Sequence, residues 1–364
     1  MNSKPGITSL FSGIKNLVQQ SKEELYRIIN TTLVETYYHI GRLIVEFEQQ
    51  GSTRAGYASG VLKTISLKLT KEFGKGFSVD NLENMRRFYN EYKRTYVEFL
   101  EAQVKSETAS RKLVKPQSSV SKSETLSRKS VFTLSWSHYL LLMKIGDLNE
   151  RSFYTVEAYN ESWSVRELQR QFDSALYERL VLSRNKKKVK ELSKKGHVIT
   201  SPADIIKDPY VLDFLELKEQ EVYTESDLEA AIISKLQDFL KELGKGFLFV
   251  DRQKRIRVDN EDYYIDLVFY HRILRCFVLI DLKIGSLKHQ DLGQLQMYVN
   301  YYDQEIKSKE ENKTIGIILC KSKKENTIRY TLGNENTQIF ASKYKMFFPE
   351  KQVLKLLQQY PQNK

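Results

Sequence analysis

The stretch "FVLIDLKIG", Phe277 to Gly285, decides the fold, because a run this apolar carries an aspartate and a lysine two residues apart, Asp281 and Lys283. Side chains alternate faces along a strand, so residues i and i+2 share one. Phe277, Leu279, Asp281 and Lys283 fall on one face, and Val278, Ile280, Leu282 and Ile284 on the other. Apolar residues on both faces predict an interior strand. An isolated charge there costs several kcal/mol unless it is paired or bound. Either the two ions pair structurally near the strand's end, or something binds there.

Outward from this strand the pattern is regular. Residues 226–243 read as an amphipathic helix, residues 247–258, 262–271 and 276–284 as strands, and 290–307 as a helix. Further strands are predicted over Thr314–Cys320 and Gln338–Phe348, giving the order αβββαβ and a mixed sheet flanked by helices. In the preceding strand, "YYIDLVFYH", Asp266 stands between Ile265 and Leu267. Antiparallel pairing across the short connection "RILR" brings Asp266 close to Asp281. Two carboxylates at that range repel unless a cation lies between them. Hard oxygen ligands without Cys or His point to Mg²⁺ or Mn²⁺. A lysine on the same face can orient or help deprotonate an attacking water and offset phosphate charge.

The N-terminal half reads as helical. Residues 8–49 repeat apolar positions at three- and four-residue steps, with Gly51 as a stop. A helix pair follows around the turn "GKGF", with Gly74 after the first helix and Ser78 capping the second. The same "GKGF" at Gly244–Phe247 reads as another helix stop, since a phosphate-binding loop needs a longer pattern. Residues 101–130, rich in Ser, Lys and Thr, are expected to form a flexible polar linker or insertion. Helical patterning resumes over 131–200. Residues 201–221 read as a connector with a short helix after Pro209, 222–350 as the mixed-sheet domain and 351–364 as a tail.

The net charge of +12 is uneven. Residues 1–218 hold 35 Lys/Arg and 25 Asp/Glu, while residues 219–350 hold 20 and 21. A basic half beside a neutral one favours a polyanion partner. Between Arg179 and Lys195 eight basic residues, Lys186, Lys187 and Lys188 among them, face a single acid, Glu191. They form either a solvated helix face or a phosphate-tracking surface. No apolar run reaches the roughly 18–20 residues that span a bilayer, so no membrane partner is expected. The N-terminus lacks the pattern of a signal peptide. The two cysteines, Cys276 and Cys320, read as reduced core residues of a cytoplasmic protein.

"IDLVFY…FVLIDLKIG" resembles the PD-(D/E)XK motif of restriction-endonuclease-like nucleases, with Ile-Asp in place of Pro-Asp, and "GQLQMY" resembles the Q-x-x-x-Y motif of RecB-type members. The chain as a whole resembles the bacterial YhcG family through strings such as "FGKGFSVDNLENMRRFY", "LSWSHYLLLMKI", "DPYVLDFL" and "TIGIILC". The resemblance implies an α+β multidomain chain, its all-α half carrying helix-turn-helix elements and its C-terminal core restriction-endonuclease-like. It implies that Asp266 and Asp281 are metal ligands with the Leu282 carbonyl as a third, that Lys283 acts on the nucleophilic water, and that Gln294 and Tyr298 lie beside the site. Glu229 matches the glutamate many members carry on the first helix. The alternative for Glu229 is a capping box opened by Ser226.

The segment Leu134–Phe172 is similar to the helix-turn-helix of ParB-type DNA-binding proteins. Ser164 caps its "SVREL" helix and Glu167 completes a box, leaving Arg166 and Arg170 on one face for DNA. The alternative is a helical bundle for dimerisation. "FSVDNLENMRRFYNEYKR", with Arg86 and Arg87, is a second such candidate. Together these imply a metal-dependent DNA endonuclease, most simply a homodimer, with a defence or restriction-modification partner. The other readings are a catalytically silent DNA-binding scaffold and an RNA nuclease.

Overall fold

The computed structural model describes residues 7–50, 55–111, 130–182, 186–217, 223–333 and 335–350. The chain forms two compact units, Met1–Arg151 and Ser152–Lys364.

In the first unit, helices α1 (Ile7–Gln50), α2 (Ala55–Phe73) and α3 (Val79–Arg111) precede the short α4 (Trp136–Leu142). The three- and four-residue apolar spacing of α1 places Tyr37 and Ile44 against Leu62 of α2 and Leu82 and Met85 of α3. Gly41 makes the α1–α3 approach possible. A Cβ there would lie 2.0 Å from the Met85 carbonyl oxygen. The "GKGF" turn behaves as read: Gly74 has φ 83°, and Ser78 Oγ accepts the Asn81 amide at 3.2 Å at the start of α3. One boundary differs. Helix α3 runs on to Arg111, well into the stretch read as linker, because "EAQVKSETASR" is built largely of good helix formers. The rest of that stretch, 112–129, lies outside the described residues.

The division between the units falls within α5 (Leu148–Asn160). The second unit continues with α6 (Val165–Asp173), α7 (Leu176–Leu182) and α8 (Lys186–Lys195), then a six-stranded mixed sheet. Its strands are β1 (Tyr210–Val211), β2 (Phe247–Val258), β3 (Glu261–His271), β4 (Cys276–Ser286), β5 (Ile315–Ser322) and β6 (Ile339–Lys345), in the order β1-β6-β5-β4-β3-β2. The β2–β3 and β3–β4 pairs are antiparallel; β4–β5, β5–β6 and β6–β1 are parallel. Residues 210–211, expected within a helical connector, form edge strand β1. Tyr210 and Val211 are wholly buried beside β6, and pairing there outweighs local helix preference.

The two faces of β4 divide as its alternation requires. Val278, Ile280 and Leu282 join one core with α9 (Glu225–Ser234) and α10 (Leu236–Leu243); Leu279 joins the other with α11 (His289–Tyr301). The predicted single helix over 226–243 is two, broken at Lys235 with φ −117° and ψ 33°. A further helix, α12 (Glu325–Leu332), follows β5. Gly316 on β5 lets α11 lie close, since a Cβ there would meet the Leu295 side chain at 2.8 Å. Cys276 and Cys320 are both buried and free.

Candidate active site

The last rung of the β3–β4 ladder is Leu267 opposite Ile280. One residue beyond it on each strand stand Asp266 and Asp281. Backbone pairing gives way there to a side chain: Asp266 Oδ2 accepts the Leu282 amide at 2.8 Å. Strand β4 thus carries its aspartate and lysine past the end of the antiparallel ladder while still paired to β5, where Asp281 and Lys283 sit opposite Ile318 and Cys320. Asp281 is 4% exposed. Lys283 Nζ lies 2.9 Å from Asp281 Oδ2 and 3.5 Å from Glu225 Oε2.

Burial dominates the electrostatics. It pushes the Asp281 carboxyl up to about 7, with Asp266 adding to the rise and Lys283 opposing it. Asp266 is also raised, chiefly by burial, against the Leu282 amide and Lys283. Lys283 moves the other way. Burial disfavours its charge, but Asp281 and then Glu225 and Asp266 outweigh that, so the ammonium titrates above the ordinary lysine value. Held in this way, the lysine favours its charged form.

Helix α9 removes the capping-box reading of Glu229. The cap is Thr224, whose Oγ1 accepts from the Asp227 amide while Asp227 Oδ2 accepts from the Thr224 amide at 2.8 Å. Ser226 therefore opens no box, and Glu229 is released from that role. Its buried carboxylate accepts from Gln253 Nε2 at 2.5 Å, and the same nitrogen donates to Asp266 Oδ1 at 3.0 Å. Burial raises the Glu229 carboxyl, against Gln253, while Asp266 adds to the rise. Gln294 Nε2 donates to the Tyr298 hydroxyl at 2.6 Å. Tyr298 is wholly buried, and burial raises its phenol, against Gln294, with Asp281 and Asp266 adding to the rise.

Two participants escaped the sequence. Gln253 follows an irregularity in the β2–β3 register between Phe249 and Asp251 and takes φ 44°, a left-handed conformation that costs a non-glycine residue about 1–3 kcal/mol. Its neighbours Arg252 and Lys254 pair with Leu267 and Ile265, which sets Gln253 across from Asp266. Glu225 lies one helical turn before Glu229, and that i, i+4 spacing was its only signal.

The basic candidates fare unevenly. Arg170 is held by the protein's own acids, 3.1 Å from Asp213 Oδ1 and 3.5 Å from Glu242 Oε2. It belongs to a buried network in which Arg179 Nη1 donates to Glu242 Oε1 at 2.6 Å and Lys207 donates to the Glu242 carbonyl. Burial favours a neutral Glu242, but Arg179, Lys207 and Arg170 outweigh it and hold its carboxyl below the usual range. Arg170 is thus structural. Arg166, on the same helix, is exposed. Ser164 Oγ accepts the Glu167 amide at 3.2 Å as expected, but the Glu167 carboxylate accepts from Gln171 Nε2 rather than closing a box. In the first unit, Arg86 pairs with Glu48 at 2.9 Å and Arg87 donates to the Met143 carbonyl at 2.6 Å. Lys186, Lys187 and Lys188 open α8, and their side chains lie outside the described residues.

Among the described residues no three His, Cys, Asp or Glu side chains stand close enough together to hold an ion as they are. The donor chemistry nevertheless fits a hard divalent cation. Asp266, Asp281 and Glu229 offer oxygen alone. Asp281 Oδ2, though near Lys283, is buried without a well-directed hydrogen bond. The Gln253 amide and the Lys283 ammonium hold the carboxylates at present.

The order of elements and the mixed sheet define the restriction-endonuclease-like class. A family described as "YhcG PDDEXK nuclease domain" matches residues 203–361, and one described as "DUF1016 N-terminal domain" matches residues 13–179. The YhcG protein of Escherichia coli (strain K12) is 38% identical over 358 residues, covering 96% of this chain and 92% of the relative. The chain belongs to the YhcG family, with a C-terminal PDDEXK nuclease domain. Among solved structures, a repair endonuclease from Pyrococcus abyssi overlaps 35% of this chain and 49% of its own at 16% identity and a TM-score of 0.24. An EndoMS–dsDNA complex overlaps 37% and 50% at 17% identity and a TM-score of 0.25. The chain thus spans about half the length of these two structures.

Proposed function

We propose that this chain is a divalent-cation-dependent nuclease that hydrolyses phosphodiester bonds within DNA, using Asp266, Asp281 and Lys283 with Glu229 beside them. The observation that carries the reading is the convergence of these four side chains from α9, β3 and β4 where the β3–β4 ladder ends. Asp266, Asp281, the Leu282 carbonyl and Glu229 would hold Mg²⁺ or Mn²⁺. The ion, when bound, supplies Lewis acidity and lowers the pKa of a bound water.

The protein's own groups do the rest. Lys283, kept protonated by Asp281 and Glu225, orients the attacking water and stabilises charge growing on the scissile phosphate. Burial of Asp281 excludes bulk water from that side of the site. The excess of basic residues in the N-terminal half favours a polyanion, with exposed Arg166 and the Lys186–Lys188 run as phosphate contacts. Cutting both strands of a duplex in one encounter is simplest with two such sites, and so with two copies of the chain. Action against foreign DNA, alone or with a defence partner, is the biological role the family resemblance suggests.

Intact carboxylates and lysine count against a silent scaffold. Substrate class is tested by offering labelled duplex DNA, single-stranded DNA and single-stranded RNA together, with Mg²⁺ or Mn²⁺ and with chelator. Preferred cutting of DNA in the presence of the ion supports the reading. Cutting of RNA alone replaces DNA with RNA as the substrate, and binding without any cleavage favours the scaffold.

A further inference from the structure

Helix α1 has a second apolar face that its own unit leaves bare. Val34, Tyr37, Tyr38 and Ile44 are buried. At 100° per residue, Ile7, Phe11, Ile14, Val18, Leu25 and Ile29 lie on the opposite side of the helix. All six are exposed, from 49% at Val18 to 88% at Ile7; beyond Ile29 exposed Thr32 and Thr36 interrupt the line, and Leu43 and Phe47 return to it near the helix's far end. Solvent-facing apolar residues scattered singly need no explanation, but a continuous stripe does.

The spacing says what kind of surface covers it. Ile7, Phe11, Ile14, Val18, Ser21, Leu25 and Ile28 alternate steps of four and three, the seven-residue repeat of a coiled-coil seam with one polar position at Ser21. The surface agrees. A groove is lined by Leu17, Val18, Ser21, Lys22 and Leu25. It contains the i, i+3, i+4, i+7 quartet Val18, Ser21, Lys22, Leu25, which is the four-residue hole that receives a side chain from a facing helix.

We infer that α1 is an interface between two copies of this chain, paired helix to helix along this stripe. Length selects the occupant. The unbroken part of the stripe, from Ile7 to Ile29, is about 35 Å long. Residues 112–129 hold only four large apolar side chains, Leu113, Val114, Val120 and Leu126. Another α1 matches both length and repeat. Area agrees too. At about 100 Å² per large apolar side chain, the exposed fractions along the stripe amount to roughly 500 Å². That is about the apolar share of the roughly 800 Å² each partner buries in a stable complex. The pairing gives the two-copy element of the proposed function a surface, and it stands without the nuclease reading.

The test is the mass of the full chain in solution, by light scattering or sedimentation, without nucleic acid or divalent cation. The wild type is expected at about 85 kDa, twice the 42.7 kDa chain. The double variant Ile14→Lys, Val18→Lys is expected at the single-chain mass, with little changed helical circular dichroism because both side chains are half-exposed in the single chain. A monomeric wild type overturns the pairing and leaves the nuclease reading standing. A variant still at 85 kDa overturns this surface. A monomeric wild type that sediments with phosphatidylglycerol vesicles assigns the stripe to lipid and equally overturns the pairing.

Discussion

Replacing Asp281 with Asn is expected to make the cation-free protein more stable, at the cost of its activity. The carboxyl titrates near 7 in the fold, some three pH units above an ordinary aspartate, chiefly because it is buried. The folded state therefore binds the proton more tightly than the unfolded chain does. The contribution is harmless below about pH 4, grows unfavourable as pH rises through 4 to 7, and reaches its full cost above 7. At about 1.4 kcal/mol per pH unit the ceiling is near 4 kcal/mol. That ceiling is already net of the attraction to Lys283; relaxation and water entry around the buried carboxylate reduce it, leaving a gain of about 1–2 kcal/mol at pH 8. That corresponds to about 3–6 °C in Tm for a domain of this size. The assay is thermal melting with chelator present at pH 5 and pH 8, wild type against Asp281→Asn. The variant's advantage should widen from pH 5 to pH 8, and added Mn²⁺ should narrow it by stabilising the wild type alone. A variant that melts below wild type at pH 8, or a gap that ignores pH, refutes the argument that burial of a charge governs this residue.

Other perturbations follow from the same geometry. Gln253→Ala, which frees Glu229 from Asp266, is expected to lower cleavage and Mn²⁺ affinity by about 10–100-fold while duplex binding by gel shift stays unchanged. Arg170→Ala should lower Tm by an amount corresponding to about 1–3 kcal/mol, because it strips a partner from buried Glu242, and should leave the salt dependence of DNA binding unaltered. Gly41→Ala forces α1 away from the Met85 carbonyl and is expected to cost about 1–3 kcal/mol in denaturant titration, whereas Gly60→Ala, with open space around it, should be near neutral or slightly stabilising.

The strands were legible because their signal is local. β2 runs over the predicted residues 247–258, and β3 and β4 differ from prediction by a residue or two, since alternation and the turns between them lie in the sequence itself. The same alternation placed Asp281 and Lys283 on one face, and the structure brings them to 2.9 Å. Illegible were features whose cause is distant in sequence. The two-residue strand β1 exists only because β6 lies beside it. Gln253 looks like any polar residue in "VDRQKRIRV" until a register irregularity and a left-handed φ aim it between two carboxylates. Arg170 reads as a solvent-facing arginine until Asp213 and Glu242, more than forty residues away, take its guanidinium. The competition between Ser226 and Thr224 for the α9 cap turned on two residues, and with it the freedom of Glu229.

The central claim is that Asp281 and Lys283 stand in strand β4 to hydrolyse a phosphodiester bond. The most direct test is cleavage of supercoiled plasmid with Mg²⁺ or Mn²⁺ by wild type, Asp281→Ala and Lys283→Ala, with DNA binding scored on the same samples. The account predicts cation-dependent cutting that each substitution lowers by at least about 10²–10³-fold while binding is retained. Cutting that survives both substitutions would contradict it.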